Sequence, residues 1–152
     1  ASAKPALYDI NLEVPHGKTT AIIGPSGSGK TTLVRLLMGH YLPVEGKVKV
    51  SGVDLQKIDP SRWLRKCAAV MSKSILFQTS IARNVVLGSG PIDARRLSRV
   101  LDKVGMLTFV ESLPEGWDTE VGGPGGGLSQ GQQQKVLLAR LLYADAEFLF
   151  LY

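Results

Sequence analysis

The sequence predicts an α/β fold with a central, mostly parallel sheet, because strand-like and helix-like patterns alternate along its 152 residues. A short apolar run at 19–23 is followed at once by a glycine-rich turn and then by a helical pattern at 32–38. A second apolar run, 148–152, has the near-continuous hydrophobicity of a parallel strand covered on both faces. Because such a strand is expected in the middle of a sheet, we expect the sequence to be the N-terminal larger part of a longer domain.

The N-terminal third is expected to form an antiparallel β portion. Apolar and polar residues alternate over 10–14, which predicts a half-exposed strand that ends at the turn-forming residues 15–18. The apolar run at 19–23 predicts the next strand. A turn is expected at 43–46, and valines that alternate with lysine and serine over 47–51 predict a further short strand.

The rest of the sequence continues the alternation of strands and helices. Leu97, Val100, Leu101 and Val104 fall on one side of a helical pattern, as in an amphipathic helix that packs on a core. A glycine-dense segment then precedes the last helix. The predicted elements are a short helix at 62–67, a buried strand at 68–71, helices at 81–87 and 92–104, a break at 122–127, a helix that extends to Tyr143, and the strand at 148–152.

The composition is that of an ordinary globular domain, with 44% hydrophobic and 20% charged residues. No apolar run approaches the roughly 20 residues of a transmembrane helix, and no signal peptide is recognisable, so we expect a cytosolic location. The single cysteine, Cys67, excludes an internal disulfide and a cysteine-based metal cluster, and we expect a buried neutral thiol. The net charge of +5 is spread out except at 95–99, where a solvated helix face is expected rather than nucleic-acid binding.

Residues 24–31 form a complete glycine-lysine phosphate loop, Gly-Pro-Ser-Gly-Ser-Gly-Lys-Thr. The glycines allow the backbone amides to point inward toward phosphate oxygens, Lys30 reaches the β- and γ-phosphates, and the Thr31 hydroxyl is expected to bind Mg²⁺. The alternative, a flexible glycine-serine turn, is disfavoured because a predicted strand and helix flank the loop. The expected nucleotide-binding residues are Gly24, Pro25, Ser26, Gly27, Ser28, Gly29, Lys30, Thr31 and Thr32.

A second motif resembles the signature loop and helix of ABC transporter ATP-binding domains, whose usual form is Leu-Ser-Gly-Gly-Gln. It comprises Leu128, Ser129, Gln130, Gly131 and Gln132, followed by Gln133, Gln134, Lys135 and then Leu138, Ala139 and Arg140. Gln130 departs from the family's glycine. Ser129 is expected to head a helix, where its hydroxyl, the backbone amides and the helix dipole favour an anion, although a plain N-cap has the same sequence.

The resemblance covers nearly the whole sequence and points to the exporter branch of the family. Further matching segments are 7–10, 17–18, 46–52, 76–77, 80–81, 84–85, 113–116 and 119–122. The resemblance implies a P-loop NTPase fold in which a helical subdomain, roughly 72–143, is inserted and carries the signature loop. The C-terminal part of the domain would be absent.

The resemblance also implies the cofactors, partners and location. ATP and Mg²⁺ are the expected cofactors. A second ABC ATP-binding domain is the expected partner, head to tail, so that the signature loop faces the partner's nucleotide. The transmembrane domain of a transporter is the other expected partner, which would hold the chain at the cytoplasmic face of a membrane.

Several residues depart from the family at positions that the family uses for chemistry. Ser72 occupies the position of a glutamine that contacts Mg²⁺ and water, and Lys30 and Ser72 are the candidate catalytic residues. Gly123 occupies the position of a glutamate that contacts the membrane domain. Thr31 and Tyr152 are the candidate metal residues, Tyr152 at the position where the family has an aspartate, unless that aspartate is the next residue. The family's catalytic carboxylate, switch histidine and adenine-stacking aromatic match no residue of this sequence.

Three functions remain open from the sequence. The first is a motor that couples ATP binding and hydrolysis to export. The second is a degenerate half that holds ATP as a regulatory clamp in a heterodimeric transporter. The third is a soluble ABC ATPase that acts on nucleic acid.

Overall fold

The computed structural model describes residues 5–71, 73–123 and 127–152, and its contacts divide the chain into two units, residues 1–65 and 66–152. Each unit contains one of the two sequence motifs. Within the described ranges, none of the helices has the length and apolar character that a membrane crossing requires.

The first unit is built on one helix and a small hairpin. Helix α1 (Lys30–Leu37) follows directly from the phosphate loop and is the helix predicted there. Strands β1 (Lys49–Val50) and β2 (Val53–Asp54) pair antiparallel, and the two residues between them both have positive φ, as a tight hairpin turn requires. A 3₁₀ turn (Leu55–Lys57) and helix α2 (Pro60–Arg65) complete the unit.

Four side chains form the buried centre of the first unit. Val34 and Met38 come from α1 and its C-terminal end, Leu55 from the 3₁₀ turn and Trp63 from α2. Met38, Leu55 and Trp63 also line a cavity of about 330 Å³, together with Leu36 on α1. The centre therefore fixes the body of the helix whose N-terminus carries Lys30.

The strands predicted at 10–14 and 19–23 are wrong for this structure, in which neither segment is part of a β-ladder within the described residues. The alternation at 10–14 leaves Ile10 exposed, and Ile23 is 94% exposed. Alternating apolar residues favour a strand only where a partner backbone and a covering layer are available, and here the first unit supplies neither to these segments.

The second unit combines a parallel strand pair with a helical layer. In chain order it contains β3 (Cys67–Val70), β4 (Thr79–Ser80), α3 (Ile81–Val86), α4 (Ala94–Lys103), α5 (Leu107–Glu111), a 3₁₀ turn (Gly116–Asp118), β5 (Glu120–Val121), α6 (Gln130–Tyr143) and β6 (Phe148–Leu151). Strands β3 and β6 pair in parallel, with Cys67 opposite Phe148 and Val70 opposite Leu151. An ion pair between Lys66 and Glu147 lies at the start of this strand pair. Strands β4 and β5 pair antiparallel.

The core of the second unit lies among the helices. Its largest fully buried side chains come from α3, α4, α6 and the segment around α5, and they include Ile81, Leu97, Leu101, Met106 and Val136. Polar side chains cap the N-termini of two of these helices. Ser80 accepts a hydrogen bond from Arg83 N at the start of α3, and Asp93 accepts one from Arg96 N at the start of α4. The mixed α/β architecture confirms the predicted fold class.

Most helices lie where the sequence predicts them, although several of their ends differ by one or two residues. The helix predicted at 62–67 ends at Arg65, because Cys67 already belongs to β3. The expected central position of the strand at 148–152 in a longer domain stays a prediction, and this strand is present as β6 in the described residues. There β6 pairs with β3 alone, and Leu151 is 59% exposed.

Candidate nucleotide-binding site

At two positions of the phosphate loop the backbone has a left-handed conformation that glycine adopts without strain. Gly27 and Gly29 have φ values of +81° and +90°. A Cβ atom on Gly29 would lie 2.7 Å from Leu7 Cδ2, whereas one on Gly27 would meet no atom within 4 Å. Ser28 N donates to Pro25 O at 3.3 Å, which closes a turn inside the loop. The loop is therefore held tightly on its Gly29 side and open on its Gly27 side.

Lys30 closes the loop across its mouth. Its ammonium group donates hydrogen bonds at 2.7 Å to the carbonyl oxygens of Gly24 and Pro25. Both acceptors are neutral, whereas a phosphate oxygen carries negative charge and therefore attracts the ammonium group more strongly than a carbonyl oxygen does. The ammonium group of Lys30 is thus held beside the loop by two carbonyl oxygens, which the oxygens of a bound phosphate can replace.

The start of α1 offers backbone donors to the same loop. Gly29 is the N-cap residue and has no side chain with which to accept a hydrogen bond from the first amides of the helix. Such a helix end, with the positive end of its dipole, attracts phosphate. Thr31 lies in this first turn and is half-buried.

The donor set fits Mg²⁺ only together with a nucleotide. The described residues contain no group of three or more histidine, cysteine, aspartate or glutamate side chains that could hold a metal ion by itself. Mg²⁺ is commonly held by one or two protein oxygens, with phosphate oxygens and water at the other positions. The Thr31 hydroxyl can supply one protein oxygen of this kind.

Residues 128–132, here called the signature segment, contain the capping box at the start of α6. The Ser129 hydroxyl accepts a hydrogen bond from Gln132 N at 3.3 Å, and Gln132 Oε1 accepts one from Ser129 N at 2.8 Å. Leu128 packs against the helical core, while Gln130 and Gly131 are exposed in the first turn. The capping box fixes where the helix begins and leaves the first turn accessible.

Gln130 and Tyr152 line a common cavity of about 380 Å³. The cavity lies at the carboxyl ends of the parallel strands β3 and β6, and its wall also includes Ser74, Gln133 and Gln134. The carboxyl ends of parallel strands are where α/β folds usually bind ligands. Tyr152 N donates to Val70 O at 2.9 Å, so the backbone of this residue continues the β3–β6 pairing while its side chain reaches the cavity wall.

Gly123 does not line this cavity. Ser72 lies outside the described residues. Gly123 follows β5, and a Cβ atom there would lie 3.1 Å from Gln78 Nε2. The phosphate loop lies in the first unit and the signature segment in the second, so each is described by itself.

Arg140 has no assigned role among the sequence predictions, yet it makes three hydrogen bonds to residues far away in the sequence. It interrupts an otherwise apolar run at the end of α6, from Val136 to Leu142. A charged residue in such a run is a recognisable signal, because burial of its side chain requires polar partners.

Residues 7–151 match the sequence profile that describes ABC transporters. The chain belongs to the ABC transporter family. It is 40% identical over 145 residues to the heterocyst differentiation ATP-binding protein HepA of a Nostoc species, covering 95% of this chain and 24% of that protein. It is 39% identical over 145 residues to an ATP-dependent lipid A-core flippase of Desulfotalea psychrophila, covering 95% of this chain and 25% of the flippase.

A solved structure leads to the same branch of the ABC transporter family. A bacterial Atm1-family ABC exporter with ATP bound matches with a TM-score of 0.77 and 32% sequence identity, covering 84% of this chain and 22% of the exporter chain. The predicted resemblance to exporter-type ABC ATP-binding domains is therefore confirmed, and the family is one of transport ATPases. This ABC transporter chain spans about a quarter of the length of the two curated relatives.

Proposed function

We propose that this chain binds Mg-ATP through residues 24–32 and couples its binding and hydrolysis to the export of a substrate across a membrane. The observation that carries the proposal is the pair of 2.7 Å hydrogen bonds from Lys30 to Gly24 O and Pro25 O. They hold the ammonium group beside the uncapped start of α1, where a triphosphate would meet a cation and backbone donors together.

The chain's own residues would contribute mainly position and charge. Lys30 would exchange its two carbonyl acceptors for phosphate oxygens, and the first amides of α1 would donate to the same group. Thr31 would supply one oxygen to Mg²⁺, which would neutralise part of the negative charge on the phosphates. The open side of the loop at Gly27 would allow the phosphates to approach the backbone.

The proposed partners follow from the relatives. A flippase and an exporter are membrane transporters by name, and the exporter was solved with ATP bound. We propose that the chain works beside a transmembrane domain at the cytoplasmic face of a membrane. A second ABC ATP-binding domain would place its nucleotide against the exposed first turn of α6, at Gln130 and Gly131.

The proposal is tested with the full-length protein by equilibrium titration of Mg-ATP and by ATP turnover. Lys30→Ala should lower the affinity for Mg-ATP at least tenfold, since a charge-assisted contact is lost. Lys47→Ala, an exposed lysine outside the loop, is the matched control and should bind as the wild type does. Equal affinity in the wild type and the Lys30→Ala variant would reject the phosphate-loop site.

A second candidate function is the regulatory clamp, favoured by the departures at Ser72, Gly123, Gln130 and Tyr152 beside an intact phosphate loop. Gln130 and Tyr152 line the same cavity, which brings an amide and a phenol to positions where the family has glycine and aspartate. A phenol is uncharged at neutral pH and is a poor Mg²⁺ ligand. Tight Mg-ATP binding with negligible single-turnover hydrolysis would favour the clamp, whereas fast hydrolysis would favour the motor.

A further inference from the structure

Asn84 is a fully buried polar residue on α3 that organises the segment before it. Its side-chain oxygen accepts a hydrogen bond from Phe77 N at 2.8 Å. Its side-chain nitrogen lies 2.9 Å from Phe77 O, 3.1 Å from Ser80 O and 3.3 Å from Thr79 O. One amide group thus supplies hydrogen-bond partners to the backbone of residues 77–80, in addition to the pairing of β4 with β5.

Arg140 on α6 contacts both Asn84 and the segment 75–80 that precedes α3. Its Nε donates to Asn84 O at 2.7 Å, one terminal nitrogen donates to Asn84 Oδ1 at 3.1 Å, and the other donates to Ile75 O at 3.2 Å. The guanidinium carbon also lies 5.3 Å from the centre of the Phe77 ring. The planar guanidinium group of Arg140 thus donates three hydrogen bonds and also contacts an aromatic ring. The ammonium group of a lysine does not have the planar shape that this combination requires.

The pair joins two parts of the second unit that are distant in sequence. Arg140 and Asn84 are separated by 56 residues, and Arg140 and Ile75 by 65. At one end of the connection is the segment 75–80, which follows strand β3. At the other end is α6, a single helix from Gln130 to Tyr143 whose first turn directly follows the capping residue Ser129.

We propose that Arg140 is a positioning residue that fixes segment 75–80 to the signature helix α6, so that the two move together during the ATP cycle. The proposal rests on the proposed function, because it assigns the pair a role in ATP turnover. A helix with an intact hydrogen-bond ladder transmits a displacement along its length, and α6 leads from Arg140 to the signature segment.

Arg96 provides a matched control in the same unit. It is a half-buried arginine that donates to a backbone oxygen, Tyr143 O, at 2.6 Å and stacks on the Tyr143 ring at 4.8 Å. It therefore shares with Arg140 a hydrogen bond to a backbone oxygen and a ring contact, and it adds an ion pair with Asp145 at 3.6 Å. It connects α4 to the C-terminal end of α6, and these contacts are all with residues outside segment 75–80. A general effect of losing an arginine should appear in both variants.

The first experiment measures hydrogen–deuterium exchange of nucleotide-free, full-length protein. Arg140→Lys keeps the charge and loses the planar fork, and Arg140→Met loses every polar contact. Both should accelerate exchange in the peptide that covers 75–80, by about tenfold for the lysine variant and more for the methionine variant. Arg96→Lys should leave this peptide within about twofold of the wild type. Unchanged exchange in the folded Arg140→Lys variant would overturn the connection.

The second experiment separates positioning from support of the fold. Arg140→Lys should lower kcat for ATP by about tenfold and leave KM within about twofold, since the phosphate loop is intact and only alignment is lost. Arg96→Lys should change neither. Accelerated exchange with unchanged kcat, or an equal loss of kcat in both lysine variants, would overturn the positioning role. Absence of ATP binding in the wild type would instead reject the proposed function, and the exchange result would still decide whether the connection exists.

Discussion

The ammonium group of Lys30 donates a 2.7 Å hydrogen bond to the carbonyl oxygen of Gly24, six residues earlier in the chain. The bond ties the first residue of α1 to the first residue of the phosphate loop, and a second bond to Pro25 O strengthens the closure. The side chain is half-buried and belongs to no apolar cluster of the first unit. Its contribution to ligand binding should therefore exceed its contribution to stability.

We accordingly expect Lys30→Met to lower the free energy of unfolding by no more than about 1 kcal/mol, because solvent can satisfy the two carbonyl oxygens. Chemical denaturation without nucleotide measures this change. A loss of several kcal/mol would mean that the lysine supports the fold of the loop rather than its ligand.

Gly29→Ala should destabilise the protein more than Gly27→Ala does. Both residues have positive φ, which costs a residue with a Cβ about 1 kcal/mol or somewhat more. At Gly29 the added Cβ would also lie 2.7 Å from Leu7 Cδ2 and 2.8 Å from Ala6 O, whereas at Gly27 it would enter open space. We expect a difference of at least about 1 kcal/mol between the two variants in urea denaturation. Equal midpoints would contradict the tight contact at Gly29.

Ser129→Ala should destabilise α6 by about 1 kcal/mol, because the Gln132 amide loses its side-chain acceptor. Ser129→Asp keeps an acceptor and should restore most of the stability. Ser98→Ala, inside α4 rather than at a helix start, is the control and should be nearly neutral. Thermal unfolding of the three variants distinguishes a cap from a general effect of losing a hydroxyl.

Burial, and to a smaller extent the nearby Glu147 carboxylate, together raise the pKa of the Cys67 thiol from 9.0 to about 11. The folded protein therefore prefers the protonated thiol, in agreement with the neutral thiol expected from the sequence. The stability that this preference contributes is fully present below pH 9 and is lost as the pH rises toward 11.

The rate of Cys67 alkylation should accordingly rise with a midpoint near pH 11 in the folded protein and near pH 9 in denaturant. Glu147→Gln should lower the folded midpoint without bringing it to the denatured value, since burial is the larger cause. A midpoint near pH 9 in the folded wild type would show that the thiol is not shielded.

Leu101→Ala should cost about 2–5 kcal/mol of unfolding free energy, because Leu101 is fully buried in the helical core of the second unit. Leu149→Ala removes the same atoms from a side chain on β6 that is 47% exposed and should cost less than about 1 kcal/mol. Denaturation of the two variants compares the core with the strand pair directly.

The sequence predicts best where one local cause determines the structure. The helix start expected at Ser129 and the apolar stripe of Leu97, Val100 and Leu101 indicate α6 and α4 without knowledge of the rest of the fold, and both helices are present. The phosphate loop is predicted equally well as a turn before a helix, and Gly27 and Gly29 have the positive φ values that favour glycine at these positions. Its role in binding ATP stays a prediction.

Features that depend on distant partners were predicted poorly. The strands expected at 10–14 and 19–23 have the required alternation but no ladder within the described residues. Conversely, β4 and β5 form a pair of only two residues each, too short to produce a periodic pattern. Arg140 belongs to the same class, since its partners Ile75 and Asn84 are recognisable only after the chain has folded.

The parallel pairing of β3 with β6 has a consequence for the order of folding. Lys66 and Glu147, which immediately precede the two strands, are 81 residues apart in sequence, whereas the contacts among α3, α4 and α5 connect near neighbours. During synthesis the first helices of the second unit can already associate while β3 remains without its partner. Strand β3 therefore stays exposed to other chains until the ribosome releases β6, and slow translation between Val121 and Phe148 should increase aggregation of the nascent protein.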